Sequence, residues 1–346
     1  MNKPLVAVVI LNFNGKKLLQ QFLPSVIKHS EGTEIYLADN ASTDDSLAFI
    51  EKEFPQIKRI VLNQNHGFAR GYNEALKNIN ADYFVLLNSD VEVTPNWIEP
   101  VIELMQSDDS IAACQPKILS YAEKNSFEYA GASGGFIDKY GYPFCRGRIF
   151  NELEKDNGQY NDVREIFWAT GACMFVKADV YKEASGFDDS YFAHMEEIDL
   201  CWRIKNTGHK IMVVPGSVVF HLGGGTLNKL SPRKTFLNFR NNLITLTKNY
   251  PNSNWFFIIL ARLVLDGIAG FKFLLEGKPA HMWAVTKAHF AYYFSIGKTL
   301  SERKKNRSHK NYKPSYSSIY NGNVVLEFYL RKVKIFSVLA KNKWVN

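Results

Sequence analysis

The chain is short of paired cysteines, of nucleotide-loop glycine patterns and, in its last third, of acid. Its four cysteines, Cys114, Cys145, Cys173 and Cys201, show no Cys-x-x-Cys spacing. That excludes a zinc ribbon or a disulfide framework and reads as reduced, partly buried thiols of a cytosolic protein. No Gly-x-Gly-x-x-Gly follows the first apolar run, and no Gly-Lys-Ser/Thr follows Gly67, so neither a dinucleotide fingerprint nor a Walker loop is present. The opening run Leu5–Leu11 leads into Asn12-Phe13-Asn14-Gly15 without a small-residue cleavage site and reads as a buried strand, not a secretory leader. Trp255–Leu275 is the most apolar stretch, yet it holds Arg262, Asp266 and Lys272. Each charge near the middle of a span costs roughly 2.5–3.5 kcal/mol, so an interfacial helix is expected there, with a soluble hairpin serving dimer contacts as the alternative.

Acid is scarce in one region only. Residues 1–225 carry 21 Lys/Arg against 30 Asp/Glu, whereas residues 226–346 carry 21 against 4, and together these make the chain's net +8. The split predicts an acidic working domain, residues 1–226, and a helical basic extension, residues 227–346, suited to anionic lipid or nucleic acid. With 46% hydrophobic and 22% charged residues, wholesale disorder is excluded.

Over the first half, apolar runs alternate with amphipathic segments. Leu5–Leu11, Ile35–Ala38, Ile60–Leu62 and Tyr83–Leu87 read as strands, and Lys17–Lys28, Asp44–Phe54 and Phe68–Asn78 as helices. This means βαβ units and a mostly parallel sheet. Ser42 or Thr43 is the expected N-cap of the second helix, and Pro95 opens a fourth that runs to about Gln106. Residues 115–165, rich in glycine and aromatics, predict loops and hairpins, and Trp168–Val176 predicts a strand. Asn306–Asn323 reads as a flexible loop, and Val324–Val345 as an amphipathic basic helix or strand pair.

The strand ends carry the chemistry. Phe84–Val93 is an apolar run that stops in Asn88-Ser89-Asp90. Ligands of open α/β sheets gather at the carboxyl ends of parallel strands, and a carboxylate there is placed to hold a hard cation and, through it, a diphosphate. The same residues suit an ordinary turn. Asp39-Asn40 ends the second strand, where a carboxylate can accept a pyrimidine N–H or a ribose hydroxyl. Asn65-His66-Gly67-Phe68-Ala69-Arg70-Gly71-Tyr72-Asn73 offers close backbone approach at Gly67, a phosphate partner in Arg70, and a helix N-terminus.

Taken in order, Asn-Phe-Asn-Gly at 12–15, Ala-Asp-Asn-Ala-Ser-Thr-Asp at 38–44, Asn65-x-Gly67-Phe68-Ala69-x-Gly71-x-Asn73 and Leu87-Asn88-Ser89-Asp90 resemble family-2 glycosyltransferases with a GT-A fold. The nearest resemblance is to bacterial rhamnosyltransferase-like members that assemble surface polysaccharides. It covers roughly residues 4–225. It implies a donor-nucleotide site made by Asn12, Asn14, Asp39, Asn40, Asn65, Gly67, Arg70, Asn73 and Ser89. His221, in a His-x-x-Gly segment, would join Asp90 around Mg²⁺ or Mn²⁺. Glu197, in Glu196-Glu197-Ile198-Asp199-Leu200-x-x-Arg203, maps to the catalytic base. Trp168, Thr170, Gly171, Glu196 and Asp199 would line the acceptor and sugar pocket. Spacing alone equally allows Asp199 and Arg203 to form an i,i+4 ion pair. Asn238-Phe239-Arg240-Asn241-Asn242 resembles the Arg-Asn segment that follows many such catalytic domains.

One departure stands out. The family's metal motif is commonly Asp-x-Asp, and Asn88 leaves a single carboxylate, so a metal is expected to bind weakly until a nucleotide joins it. The resemblance implies an inverting hexosyltransferase, with dTDP-rhamnose as donor (a UDP- or GDP-sugar as alternative) and a polyprenyl-diphosphate-linked or cell-surface glycan as acceptor. It implies a cytoplasmic location at the inner membrane face, with peripheral membrane contact, no nucleic acid and a possible homodimer. A nucleotidyltransferase would carry a longer, charged glycine loop after the first strand. A nucleic-acid-binding protein using the basic tail, or an inactive scaffold serving a partner, are the readings from other classes.

Overall fold

The structure, a computed structural model, describes residues 3–223 and 231–345. The alternating pattern of the first half folds as β1 (Val6–Asn12), α1 (Lys16–His29), β2 (Glu34–Asp39), α2 (Ser46–Glu53), β3 (Lys58–Val61), α3 (Gly67–Leu76) and β4 (Tyr83–Asn88). Then follow β5 (Val91–Val93), α4 (Glu99–Ser107) and β6 (Ile111–Ser120). Helix α1 shows the governing logic. Leu19, Phe22, Leu23 and Val26 recur at helical spacing and are all buried, so one stripe docks on the sheet while lysines stay outside.

A hairpin-rich stretch supplies β7 (Gly135–Asp138), β8 (Pro143–Cys145), β9 (Arg148–Ile149) and β10 (Glu152–Leu153). It is followed by β11 (Arg164–Ile166), β12 (Cys173–Lys177), α5 (Ala178–Glu183), α6 (Glu196–Lys205) and β13 (Lys210–His221). The main sheet runs β11-β13-β6-β12-β4-β1-β2-β3, with β5 against β13. Strands β1 to β4 are mutually parallel, and β12 runs against both β4 and β6 while β13 is parallel to β6. The carboxyl ends of β1, β2, β4 and β13 therefore share one edge, where the sequence motifs lie.

The last third adds α7 (Pro232–Asn249), α8 (Trp255–Leu275), α9 (Pro279–Arg307), β14 (Ile319–Tyr320) and α10 (Val324–Tyr329). Strand β14 pairs with β7 and completes a small sheet with β8, β9 and β10. Phe336 and Trp344 pack on Phe136 with ring centroids 5.1 Å apart. Aromatic packing thus orders a segment that reads as loop and basic helix from its polar surroundings. The expected boundary at 226/227 and the Gly224-Gly225-Thr226 end of the His-x-x-Gly segment lie outside the described residues.

Three local expectations change. Helix α4 starts at Glu99, not Pro95. Asn96 turns left-handed at φ 59° so that Trp97 can bury fully, its Nε1 donating to Ser30 Oγ at 3.3 Å. The second helix takes its first-turn bond from Asp44, whose Oδ1 accepts from the Ser46 N–H at 3.1 Å, because Ser42 and Thr43 are already bonded to Asn14. Residues 168–172 are not a strand; β12 begins at Cys173, since Thr170 N–H donates to the Gln115 side chain at 3.0 Å instead of to a ladder. Among the described residues no helix is long and apolar enough to cross a membrane.

Candidate active site

The end of β1 is pinned to the end of β2 by side chains. Asn12 and Asp39 stand opposite each other in register, and Asn12 Nδ2 donates to Asp39 Oδ1 at 2.9 Å inside the protein. Ser42 N–H donates to the other carboxylate oxygen at 2.9 Å. Asn14, left-handed at φ 52°, accepts from the Thr43 N–H at 2.7 Å. Asn12 Oδ1 is buried with no hydrogen-bond partner among the described residues. An added Cβ at Gly15 would come within 2.3 Å of it and within 3.8 Å of Ser89 Oγ, so the 12–15 turn and the Asn88-Ser89-Asp90 turn are neighbours. An orphaned buried acceptor costs about 1–3 kcal/mol, and a ligand N–H would satisfy it.

Asn40 works inwards. Its Nδ2 donates to Asn65 Oδ1 at 3.1 Å and to the Gly67 carbonyl at 2.9 Å, and its Oδ1 accepts from the His66 N–H at 2.9 Å. Asn40 and Asn65 thereby hold the loop that opens α3. Arg70, with a side chain 48% exposed, sits 3.7 Å from Glu74, an ordinary surface pair. Asn73 has no capacity left for a nucleotide. It donates to the Phe187 carbonyl (2.8 Å) and to Asp189 (2.6 Å), and it accepts from the Tyr181 hydroxyl (2.8 Å) and the Phe187 N–H (3.0 Å).

Asp90 and His221 meet across 131 positions of sequence. His221 stands opposite Val91 in the β13–β5 pairing, which brings its Nε2 to 3.2 Å from Asp90 Oδ1. Both are buried. The other ring nitrogen, Nδ1, lies 3.2 Å from Glu128 Oε2, an ion-pair distance without hydrogen-bond alignment, and Glu128 is also buried. Burial alone would push the imidazole pKa down. The contacts and charges of Asp90 and Glu128 outweigh it and push His221 up to about 10. Burial likewise opposes ionisation of both carboxylates, but His221 holds each below its ordinary range. Sequence reading missed Glu128. It lies in the stretch without periodicity, and its only signal is a lone acid two positions before the small-residue run Ala130-Gly131-Ala132-Ser133.

This donor set suits a hard divalent cation. A carboxylate oxygen and an imidazole nitrogen 3.2 Å apart match two adjacent ligands of an octahedral ion at about 2.1 Å. A carboxylate on the far ring nitrogen is the usual orienting partner of a metal-bound histidine. Among the described residues no third His, Cys, Asp or Glu joins them as a ligand cluster, so a bound diphosphate and water would have to complete the shell.

The second centre lies at the start of α6. The chain enters it through a strained turn in which Phe192, His194 and Met195 are left-handed (φ 61°, 68° and 74°), each costing about 1–3 kcal/mol for a non-glycine residue. Helix α7 holds that turn. Asn241 Nδ2 donates to the carbonyls of Tyr191, Ala193 and His194, and Phe68 N–H donates to the Phe192 carbonyl at 3.0 Å. The turn presents Glu196 and Glu197, whose Oε2 atoms are buried with no hydrogen-bond partner among the described residues. Burial pushes Glu197 up to about 7; burial and the charge of Glu197 drive Glu196 up as well.

Asp199, expected in the acceptor pocket, has its carboxylate taken up by internal partners. It is fully buried among Lys248 (3.0 Å), Arg203 (2.9 Å) and Asn249 (2.7 Å), an internal ionic knot. Trp168 is also structural: its indole is buried against Gly135 and donates to the Phe136 carbonyl at 3.0 Å. Thr170 is buried against Gly131. Gly171 gives room to the Phe68 ring, which an added Cβ would approach to 2.8 Å.

A parallel-edged α/β sheet with nucleotide-type turns, a carboxylate–imidazole pair and carboxylates each with one unpartnered buried oxygen fits a group-transfer enzyme of the GT-A class. The chain belongs to glycosyl transferase family 2, whose pattern it matches over residues 7–184. It is 23% identical over 233 residues to the N-acetylglucosaminyl-diphospho-decaprenol L-rhamnosyltransferase of Mycobacterium tuberculosis, covering 62% of this chain and 75% of that protein. It is 22% identical over 225 residues to the rhamnosyltransferase WbbL of Escherichia coli, covering 63% and 83%. Among solved structures, the mannosyltransferase PcManGT of Pyrobaculum calidifontis in complex with GDP-Man and Mn²⁺ shares the fold with a TM-score of 0.51. It is 13% identical and covers 90% of this chain and 82% of that one.

Proposed function

We propose that this glycosyltransferase is inverting and metal-assisted, and that it moves L-rhamnose from dTDP-rhamnose onto a hydroxyl of a polyprenyl-diphosphate-linked glycan at the inner face of the cytoplasmic membrane. The observation that carries the chemistry is Glu197, half-buried with one buried carboxylate oxygen, Oε2, that has no hydrogen-bond partner among the described residues, poised near neutrality where a general base is most effective. Its carboxylate accepts the proton of the acceptor hydroxyl as that oxygen attacks the anomeric carbon. The diphosphate leaves from the opposite side of the ring, so the configuration inverts.

The base and ribose fall to Asp39 and the free Asn12 carbonyl. Asp90 and His221 would hold Mg²⁺ or Mn²⁺, with Glu128 steadying the imidazole; such an ion supplies Lewis-acid neutralisation of the departing diphosphate. In this reading residues 1–226 perform the transfer and residues 227–346 form the basic helical extension. The two rhamnosyltransferase relatives support rhamnose and, through the mycobacterial one, a lipid-linked acceptor.

A thermal-shift panel of dTDP-, UDP- and GDP-sugars with and without Mn²⁺ tests the donor. A donor at 100 times its Kd should add about 2.7 kcal/mol of stability, and dTDP-rhamnose with Mn²⁺ should give the largest response. Equal responses across the panel would overturn the choice of donor.

A further inference from the structure

Helix α8 is turned inside out. Its two central charged residues face the protein, while Lys272 in the last turn is exposed: Arg262 Nη2 lies 3.1 Å from Asp266 Oδ1, and Nη1 donates to the Tyr140 carbonyl at 2.8 Å and to Asn242 Oδ1. The guanidinium also covers the Tyr142 ring at 3.8 Å. On the opposite side, Phe257, Val264, Ile268, Phe271 and Leu275 are 57–74% exposed. Their spacing of seven, four, three and four makes one stripe along the helix. A soluble helix normally shows the reverse polarity.

Helix α9 continues the theme and then changes it. Trp283, Phe290 and Phe294 are exposed on one face of its first half, Phe294 at 89%. The same face runs on through Lys287, Lys298 and Lys305, all exposed. From 287 to 313 there are eight Lys/Arg against the single acid Glu302.

We propose that this face of α8 and α9 is a docking surface for an anionic lipid bilayer. The apolar stripe enters the boundary between acyl chains and head groups, Trp283 and the phenylalanines sit at that boundary, and the lysine-rich end of α9 meets anionic head groups. A second copy of the chain fits less well, because it would bring the same excess of positive charge to the interface. Spanning is excluded for α8 by its buried, protein-paired Arg262 and Asp266. The inference rests on the membrane-facing reading above but uses none of the site residues, so the two can fail separately.

Flotation of the full chain with vesicles of 30% phosphatidylglycerol in phosphatidylcholine, beside vesicles of phosphatidylcholine alone, tests it. The anionic vesicles should bind at least tenfold better, with binding weakened by salt. Phe257→Glu with Phe294→Glu, and separately Lys304→Glu with Lys305→Glu, should each lower that binding tenfold or more. Nucleotide-sugar hydrolysis in solution should stay within twofold of the parent in both variants. Equal binding to the two vesicle types, absence of binding, or a solution dimer that Phe257→Glu/Phe294→Glu converts to monomer would overturn the surface. Bound protein without any nucleotide-sugar turnover would leave the surface standing and sink the functional reading.

Discussion

Glu197 and Asp199 are two residues apart on one helix, and the fold treats them in opposite ways. Asp199 lies between Lys248 and Arg203 and accepts from Asn249, and these partners hold its carboxyl below its ordinary range against a burial effect that would raise it. Glu197 has a buried oxygen with no partner among the described residues and a pKa pushed up to about 7. Asp199 is fully buried and Glu197 half-buried, and the partners make a structural anchor of the first and leave the second a poised base. The strain of the turn before α6 falls on the unsatisfied side of this contrast, where pre-organisation is useful and stability is lost.

The contrast can be broken from either side. Glu197→Gln, isosteric and neutral, should lower transfer by 10²–10⁴-fold, the range that general bases contribute, with donor binding unchanged in a separate titration. Near-parental turnover would remove Glu197 from the role. Asp199→Ala leaves Lys248 and Arg203 with one fewer buried anion, and urea denaturation should show a loss of roughly 3–5 kcal/mol. A loss below about 1 kcal/mol would mean that the ionic knot is not structural. Glu128→Gln should weaken Mn²⁺ binding to the nucleotide complex ten- to hundredfold, read by the loss of the free-ion EPR signal. In the metal-free chain Mn²⁺ has to displace the proton held on His221, so its affinity should rise with pH.

The smallest expected effect concerns stability. The folded pKa of Glu197 lies above its unfolded value, so the folded chain binds more protons between the two and its stability falls as pH rises through about 7. Glu197→Gln escapes this. It should be more stable than the parent by on the order of 2 kcal/mol at pH 8, with the difference vanishing towards pH 4.5, by denaturation at both values. A gain at acid pH and none at pH 8 would reverse the sign of the argument.

The sheet was legible because each apolar run of β1, β2 and β4 ends in polar turn residues, a local signal that survives without a partner. Asp90 and His221 were legible only through their motifs, since nothing local indicates that β5 and β13 pair and bring them together. Glu128 was invisible for the same reason, lying among glycines and aromatics with no period to place it. Asp199 was half legible: its i,i+4 pair with Arg203 follows from spacing, whereas its partners Lys248 and Asn249 follow some fifty residues later and leave no local signal. In α8 the apolar stretch was plain, but its outward direction depends on Tyr140, Tyr142 and Asn242 receiving Arg262.

The pH dependence of kcat/KM in the parent enzyme tests the central claim most directly. If Glu197 is the base and burial raises its pKa, activity climbs with pH through an apparent pKa near 7, a macroscopic value shared with Glu196. A profile already flat from pH 5.5 upwards, with its acid limb near the ordinary carboxylate value of about 4.3, would contradict a base raised by burial.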